Sequence, residues 1–193
     1  MTDETVSLVG LQQAVELHTQ PHFMPPWQDL TLNGCSYSLA HLQPFTTQVT
    51  PKGLNAPTFK MYVSFGPHAF STKWDDSQPE HYKMHFGQDV RCFCPIRHRH
   101  SLNLPSIVQA AVSGRAYFSQ NRNYLLIDKL PGLIGPYAVF FNIEKAKSKD
   151  FHAAMFVVSA YEKPELSKSL PTITFATLVA KTARGEKIVR PKK

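Results

Sequence analysis

The chain has 193 residues, 42% of them hydrophobic, and a formal net charge of +7; this length supports a packed core, and this apolar fraction excludes disorder throughout. No run approaches the roughly 20 apolar residues that span a bilayer, and the acidic start MTDETVSLVG lacks the basic-then-apolar order of a secretory leader, so a cytoplasmic protein without membrane contact is expected. Residues 1–90 carry four Lys/Arg against eight Asp/Glu and residues 91–193 seventeen against six, so a polyanion partner, RNA before DNA, would meet the second half.

Residues 1–20 predict a helix, with Thr2 or Asp3 as cap, Leu8, Leu11 and Val15 at helical spacing, and Pro21 as its end. Between Pro21 and Pro57 the Pro-rich, polar text predicts short strands and loops, pinned to the core by Phe23, Trp27 and Phe45. These stretches make up an irregular N-terminal segment, 1–58. A core domain at 59–180 and a basic tail at 181–193 follow.

The core opens on a strand at 59–71, where Tyr62, Ser64 and Gly66 alternate with Met61, Val63 and Phe65. Gly66-Pro67 should break it and leave His68 in a loop at the strand end. Residues 72–88 read as an exposed polar excursion. Residues 91–112 are the densest stretch: RCFCPIRHRH crowds cations, imidazoles and thiols together, and Pro105 then starts a helix with Asn103 or Leu104 as cap and Ile107, Val108, Ala111 and Val112 as its apolar face. Gly114 ends that helix.

Five strands are predicted after it, at 116–118, 124–129, 137–145, 153–161 and 173–180, each apolar and rich in β-branched or aromatic residues. The connections between them are too short for helical crossovers, which predicts an antiparallel meander. The expected fold class is α+β, helices followed by a mainly antiparallel β-meander sheet. The tail, with six basic residues and one acid, reads as a loose, polyanion-seeking end.

Four groups of residues could carry chemistry. Arg97, His98, Arg99 and His100, with Arg91 upstream, combine an imidazole that can move a proton with guanidinium groups that can hold a phosphate. That combination suits RNA cleavage without metal, and it suits equally a basic loop that only positions a nucleic-acid backbone. Cys92, Cys94, His98 and His100 are zinc-ligand types, but the spacing departs from structural zinc sites, so neither metal nor other cofactor is expected. Ser159 and Tyr161 close a buried strand face with two hydroxyls, which either bond a neighbouring loop or open onto a site. His68, near Ser64 and Ser71, is a lone loop histidine of either structural or catalytic use. Arg91, Arg99, Arg115, Arg122, Arg184, Lys187 and Arg190 are the cations expected to meet nucleic acid. No Gly-rich phosphate loop, nucleophile elbow or HExxH motif is present.

The segments VSFGPHAF (63–70), RCFCPIRHRHSLNLPSIV (91–108), Asn123-Tyr124, YAVFF (137–141), VVSAY (157–161) and ITFATL (173–178) resemble a group of uncharacterised bacterial proteins often found with mobile elements. The order of elements is also similar to that of the barnase, EndoU and RelE-type ribonuclease toxins. That resemblance implies a metal-independent endoribonuclease in which Arg97, His98 or His100 comes from the helical side and Ser159 or Tyr161 from the sheet. Such toxins are smaller, and the first sixty residues have no counterpart in them. The expectation is an RNA-binding protein able to cleave its ligand; the alternative is a non-catalytic module that binds nucleic acid or a host protein.

Overall fold

The computed structural model describes residues 26–119, 124–166 and 170–191. The helix expected at 1–20, Phe23 and Arg122 lie outside the described residues. The chain begins with a hairpin, β1 (Leu30–Leu32) and β2 (Cys35–Tyr37), turned by Asn33 and Gly34 at φ 50° and 74°. Two successive left-handed residues fit a two-residue hairpin turn, and Asn-Gly is the pair that adopts it most readily. β3 (Phe45–Val49) then pairs with β4 (Phe59–His68). A small sheet of β5 (Ser71–Lys73), β6 (Lys83–Phe86) and β7 (Asp89–Phe93), in the order β5-β7-β6, occupies the excursion that the sequence reading left without strands.

Two short helices follow, α1 (Pro95–Ser101) and α2 (Leu104–Ala111). Then come β8 (Arg115–Phe118), β9 (Tyr124–Asp128), β10 (Tyr137–Lys145), β11 (Ala153–Glu162) and β12 (Thr172–Thr174), and the described chain closes on α3 (Phe175–Arg184). The main sheet has seven strands in the order β12-β8-β9-β10-β11-β4-β3.

This architecture corrects the expected fold class. The protein is mostly β, strands precede every described helix, and the main sheet is mixed, because β11 runs parallel to β4. The short-connection argument holds for the consecutive strands β8 to β11; it fails for β4 and β11, which are joined through the small sheet, two helices and three further strands. The strand expected at 173–180 is a helix after its first residues. Thr174 caps it by accepting the Thr177 N–H, Gly185 ends it at φ 73°, and Phe175, Leu178, Val179 and Thr182 are buried at helical spacing. β4 also continues through Gly66 and Pro67 to His68, and residues 95–101 are helical where a loop was expected. Pro95 at the start of α1 costs no hydrogen bond there, since the first helical N–H groups are unpaired anyway.

The strand pattern makes the two faces of the main sheet unequal. Met61, Val63, Phe65, Val139, Phe141, Met155, Val157 and Ala160 are buried in the core with Phe175 and Leu178 of α3. Leu39, Leu42 and Val49 belong to the same core. Trp27 packs edge-on against Phe70 and Phe86, at ring-centroid distances of 5.2 and 5.9 Å, and its indole N–H donates to the Phe65 carbonyl at 3.1 Å. On the opposite face Tyr117, Ile127, Phe140, Ser159, Tyr161 and His68 are only half-buried.

Candidate functional site

His68, at the end of β4, lies directly opposite Ser159 of the parallel neighbour β11, and Ser159 lies opposite Phe140 of β10. Opposed residues in a ladder share a face, so these three side chains stand in one row, with Tyr161 two residues beyond Ser159 on the same side. A register shift between Val157 and Ser159 sets this end of the strand pair. The Ser159 hydroxyl has no hydrogen-bond partner among the described residues.

β7 supplies the partner of His68. His68 Nε2 is 3.0 Å from Asp89 Oδ2. Burial pushes the imidazole below its ordinary range, against the pull of the Asp89 bond and with help from Arg91 and Arg97, so His68 is neutral at pH 7. Burial tends to raise the Asp89 carboxyl, but the His68 bond and the Arg91 charge outweigh it and hold the group below the usual carboxylate range. A carboxylate only accepts, so Nε2 carries the proton and Nδ1 keeps its lone pair. The result is an oriented imidazole with a basic nitrogen to spare.

Two arginines frame the pair. Arg91, 5% exposed, donates from Nε to the Ser71 hydroxyl (2.7 Å), from Nη2 to the Ser71 carbonyl (3.3 Å) and from Nη1 to Asp89 (3.4 Å). It ties β5 to β7 and faces inward. Arg97, on α1, donates from Nη1 to the carbonyls of Ser71 (2.8 Å) and His68 (3.2 Å), and its guanidinium lies 4.9 Å from the centre of the Tyr161 ring. Its Nη2 group has no partner among the described residues. Tyr161 stacks on Phe140 at 5.4 Å and 23°, so Arg97, Tyr161 and Phe140 form a continuous stack.

The sequence candidates therefore divide. His68, Arg97, Ser159 and Tyr161 converge. His100 turns to Tyr137, with ring centroids 6.0 Å apart; the Tyr137 phenol is fully buried without a hydrogen-bond partner among the described residues, and burial pushes its ionisation up. His98 points the other way. Its Nε2 donates to the Ser38 carbonyl at 2.8 Å, and its ring packs among Tyr37, His41 and Phe93, so it anchors α1 to the N-terminal hairpin. Arg99 is exposed on α1, and Arg115 is exposed on β8 with Nε bonded to Thr172 Oγ1 at 3.1 Å. Arg184 bonds Glu186 and lies over the Phe59 ring, Arg190 donates to the Ser119 carbonyl at 3.0 Å, and Lys187 is exposed. Cys92 is buried, and among the described residues no three His, Cys, Asp or Glu side chains gather as a metal ion would require.

Sequence reasoning missed Asp89 and Phe140. Asp89 had one signal: it is the last carboxylate before a run without acids that extends to Asp128. Phe140 reads as one more strand aromatic until the register sets it beside Ser159.

The family model of YjaZ matches residues 29–183. The chain belongs to the YjaZ family. The matched span takes in every strand of the main sheet and all the residues that converge at His68. No curated protein and no solved structure matches the chain. Among the described residues, no helix of this YjaZ-family chain is long and apolar enough to cross a membrane.

Proposed function

We propose that the protein binds RNA at the His68–Arg97–Tyr161 site and cleaves its phosphodiester backbone without a metal ion. The observation that supports this reading is the His68–Asp89 pair, 3.0 Å apart, beside a guanidinium with N–H groups that are unpaired among the described residues. His68 Nδ1 takes the proton of a 2′-hydroxyl, and the resulting oxygen attacks the adjacent phosphorus. Arg97 offsets the charge that grows on the phosphoryl oxygens, with Ser159 donating to the same group. Tyr161 gives its proton to the departing 5′-oxygen. The products are a 2′,3′-cyclic phosphate and a free 5′-hydroxyl, and the proton held by His68 returns through water to the Tyr161 phenolate.

The test is incubation of the purified chain with total RNA in EDTA. Wild type should shorten the RNA, with cyclic-phosphate ends. His68→Ala should reduce the rate by about 100-fold or more, and Asp89→Asn should reduce it less. His98→Ala should cut as wild type does after correction for any loss of fold. The rate should rise with pH through a value below the ordinary histidine range, because the base must be neutral and burial depresses its ionisation. Unchanged RNA, or cleavage that survives His68→Ala, refutes the enzymatic reading. The exposed Arg99, Arg115 and Lys187 favour a second reading, in which RNA is held and not cut. Under it, binding falls steeply with salt while no product forms.

A further inference from the structure

The ladder around His68 extends much farther than the site. Tyr117 of β8 is opposite Leu125 of β9, Leu125 opposite Phe140 of β10, Phe140 opposite Ser159 of β11, and Ser159 opposite His68 of β4. Tyr117, Phe140, Ser159 and His68 thus stand in one row on the same side of the sheet, across about 19 Å at the usual strand spacing of about 4.8 Å. The next row holds Ile127, Ala138 and Tyr161. The other side is closed, since Ala116, Leu126, Val139 and Ala160 are buried in the core. Only the side that carries Tyr117, Phe140 and Tyr161 half-exposed can meet a ligand.

This face has aromatic groups, cations and a groove in sequence. Tyr117 stands two residues after the exposed Arg115 on β8, so the two share the face. Beside them a cavity of about 570 Å3 is walled by Ile127, Leu130, Leu133, Pro136 and Pro164, with Lys129 at the rim. Phe140 continues the Arg97–Tyr161 stack toward Tyr117, and no ring of the described residues covers Tyr117. Of the nearby carboxylates, Asp89 is engaged by His68 and Arg91, Glu162 by the Gly135 N–H at 2.6 Å and Asp128 by the Lys129 N–H at 2.7 Å, while Glu165 is exposed between Pro164 and Leu166. Flat rings flanked by cations bind unpaired bases by stacking, whereas a duplex hides its base faces and offers only backbone.

We infer that single-stranded RNA lies across this sheet face from Arg115 to Arg97, with bases on Tyr117 and Phe140 and one base in the Ile127–Pro164 groove, and that the face delivers the strand to His68. The inference rests on the RNA reading above and specifies its substrate class, an unpaired strand.

The full chain, in EDTA, is titrated with fluorescent oligouridylate, oligoadenylate and a blunt RNA duplex of equal length. The single strands should bind tightest. Tyr117→Ala and Phe140→Ala should each weaken single-strand binding about 10-fold, with thermal melts to correct for stability. Lys129→Ala should flatten the log–log salt dependence by about 0.7. Wild-type chain crosslinked to a 4-thiouridine oligomer should carry label on peptides containing Tyr117 or Phe140, a readout that no substitution can confound. RNA that is bound and cleaved while both aromatic variants bind as wild type, or crosslinks confined to the peptide of Lys187 and Arg190, overturns the platform and leaves the proposed function standing. Preference for the duplex overturns it as well. If no RNA is bound at low salt, both fall together.

Discussion

The sharpest stability test concerns His41, which joins the N-terminal segment to α1. Its Nε2 lies 2.7 Å from the hydroxyl of Ser101, a fully buried residue whose own proton goes to the His98 carbonyl at 2.7 Å. The hydroxyl can therefore only accept, Nε2 must carry the hydrogen, and any second proton must go to Nδ1. Burial, and then the charge of His98 at a ring distance of 5.5 Å, pull the His41 imidazole from 6.5 down to about 4. As pH falls below the ordinary imidazole value, the unfolded chain takes up a proton that the folded chain refuses, so stability decreases with pH and the loss is complete near pH 4. The full shift converts to about 3.4 kcal/mol, and the half-exposed ring discounts this to about 1–2 kcal/mol. His41→Gln keeps an N–H for Ser101 and cannot titrate. Urea unfolding at about pH 7 and about pH 4.5 should show the variant losing about 1–2 kcal/mol less than wild type between the two. His68 shifts in the same direction and is present in both chains, so it cancels in the difference. Equal losses in the two proteins would refute the assignment of the buried proton acceptor to His41.

Other outcomes follow from single contacts. Arg91→Met removes two donors that tie β7 to β5 and a third that bonds Asp89 within β7, and should cost about 2 kcal/mol by chemical denaturation; it should also lower RNA cleavage, because Asp89 loses a charge that holds it ionised. Gly135→Ala would set a methyl group 2.6 Å from Pro164 Cα, a backbone atom that cannot swing away, and should cost about 2 kcal/mol or more in thermal or urea unfolding. Trp27→Phe keeps the packing against Phe70 and Phe86 but loses the bond to the Phe65 carbonyl, and should cost about 1 kcal/mol.

Where the chain pattern is local, its text was a good guide. The alternation of Tyr137, Val139 and Phe141 with Ala138, Phe140 and Asn142 marks β10, and Pro105 marks the first turn of α2. Residues 173–180 misled because β-branched and aromatic residues favour strands on their own, while Thr174 and Gly185 bracket the same residues as helix caps. Burial against the sheet decided between the two, since the helical spacing of Phe175, Leu178, Val179 and Thr182 puts them in the core together. Arg97, His68, Ser159 and Tyr161 were identifiable by chemical type. His98 and His100 are of the same type and sit one residue to either side of Arg99, yet they face different neighbours.

The sequence by itself determined the charge split, the central strands, the second helix and the kinds of groups available for acid–base and phosphate chemistry. Those depend on side-chain type and on periods of a few residues, which a linear text carries directly. Only the tertiary structure decided which groups meet. The parallel pairing of β11 with β4 places Ser159 beside His68 across almost half of the chain, and the small sheet brings Asp89 up to the same imidazole. Parallel pairing between strands that are distant in the chain depends on how the whole core closes, and no local pattern encodes it.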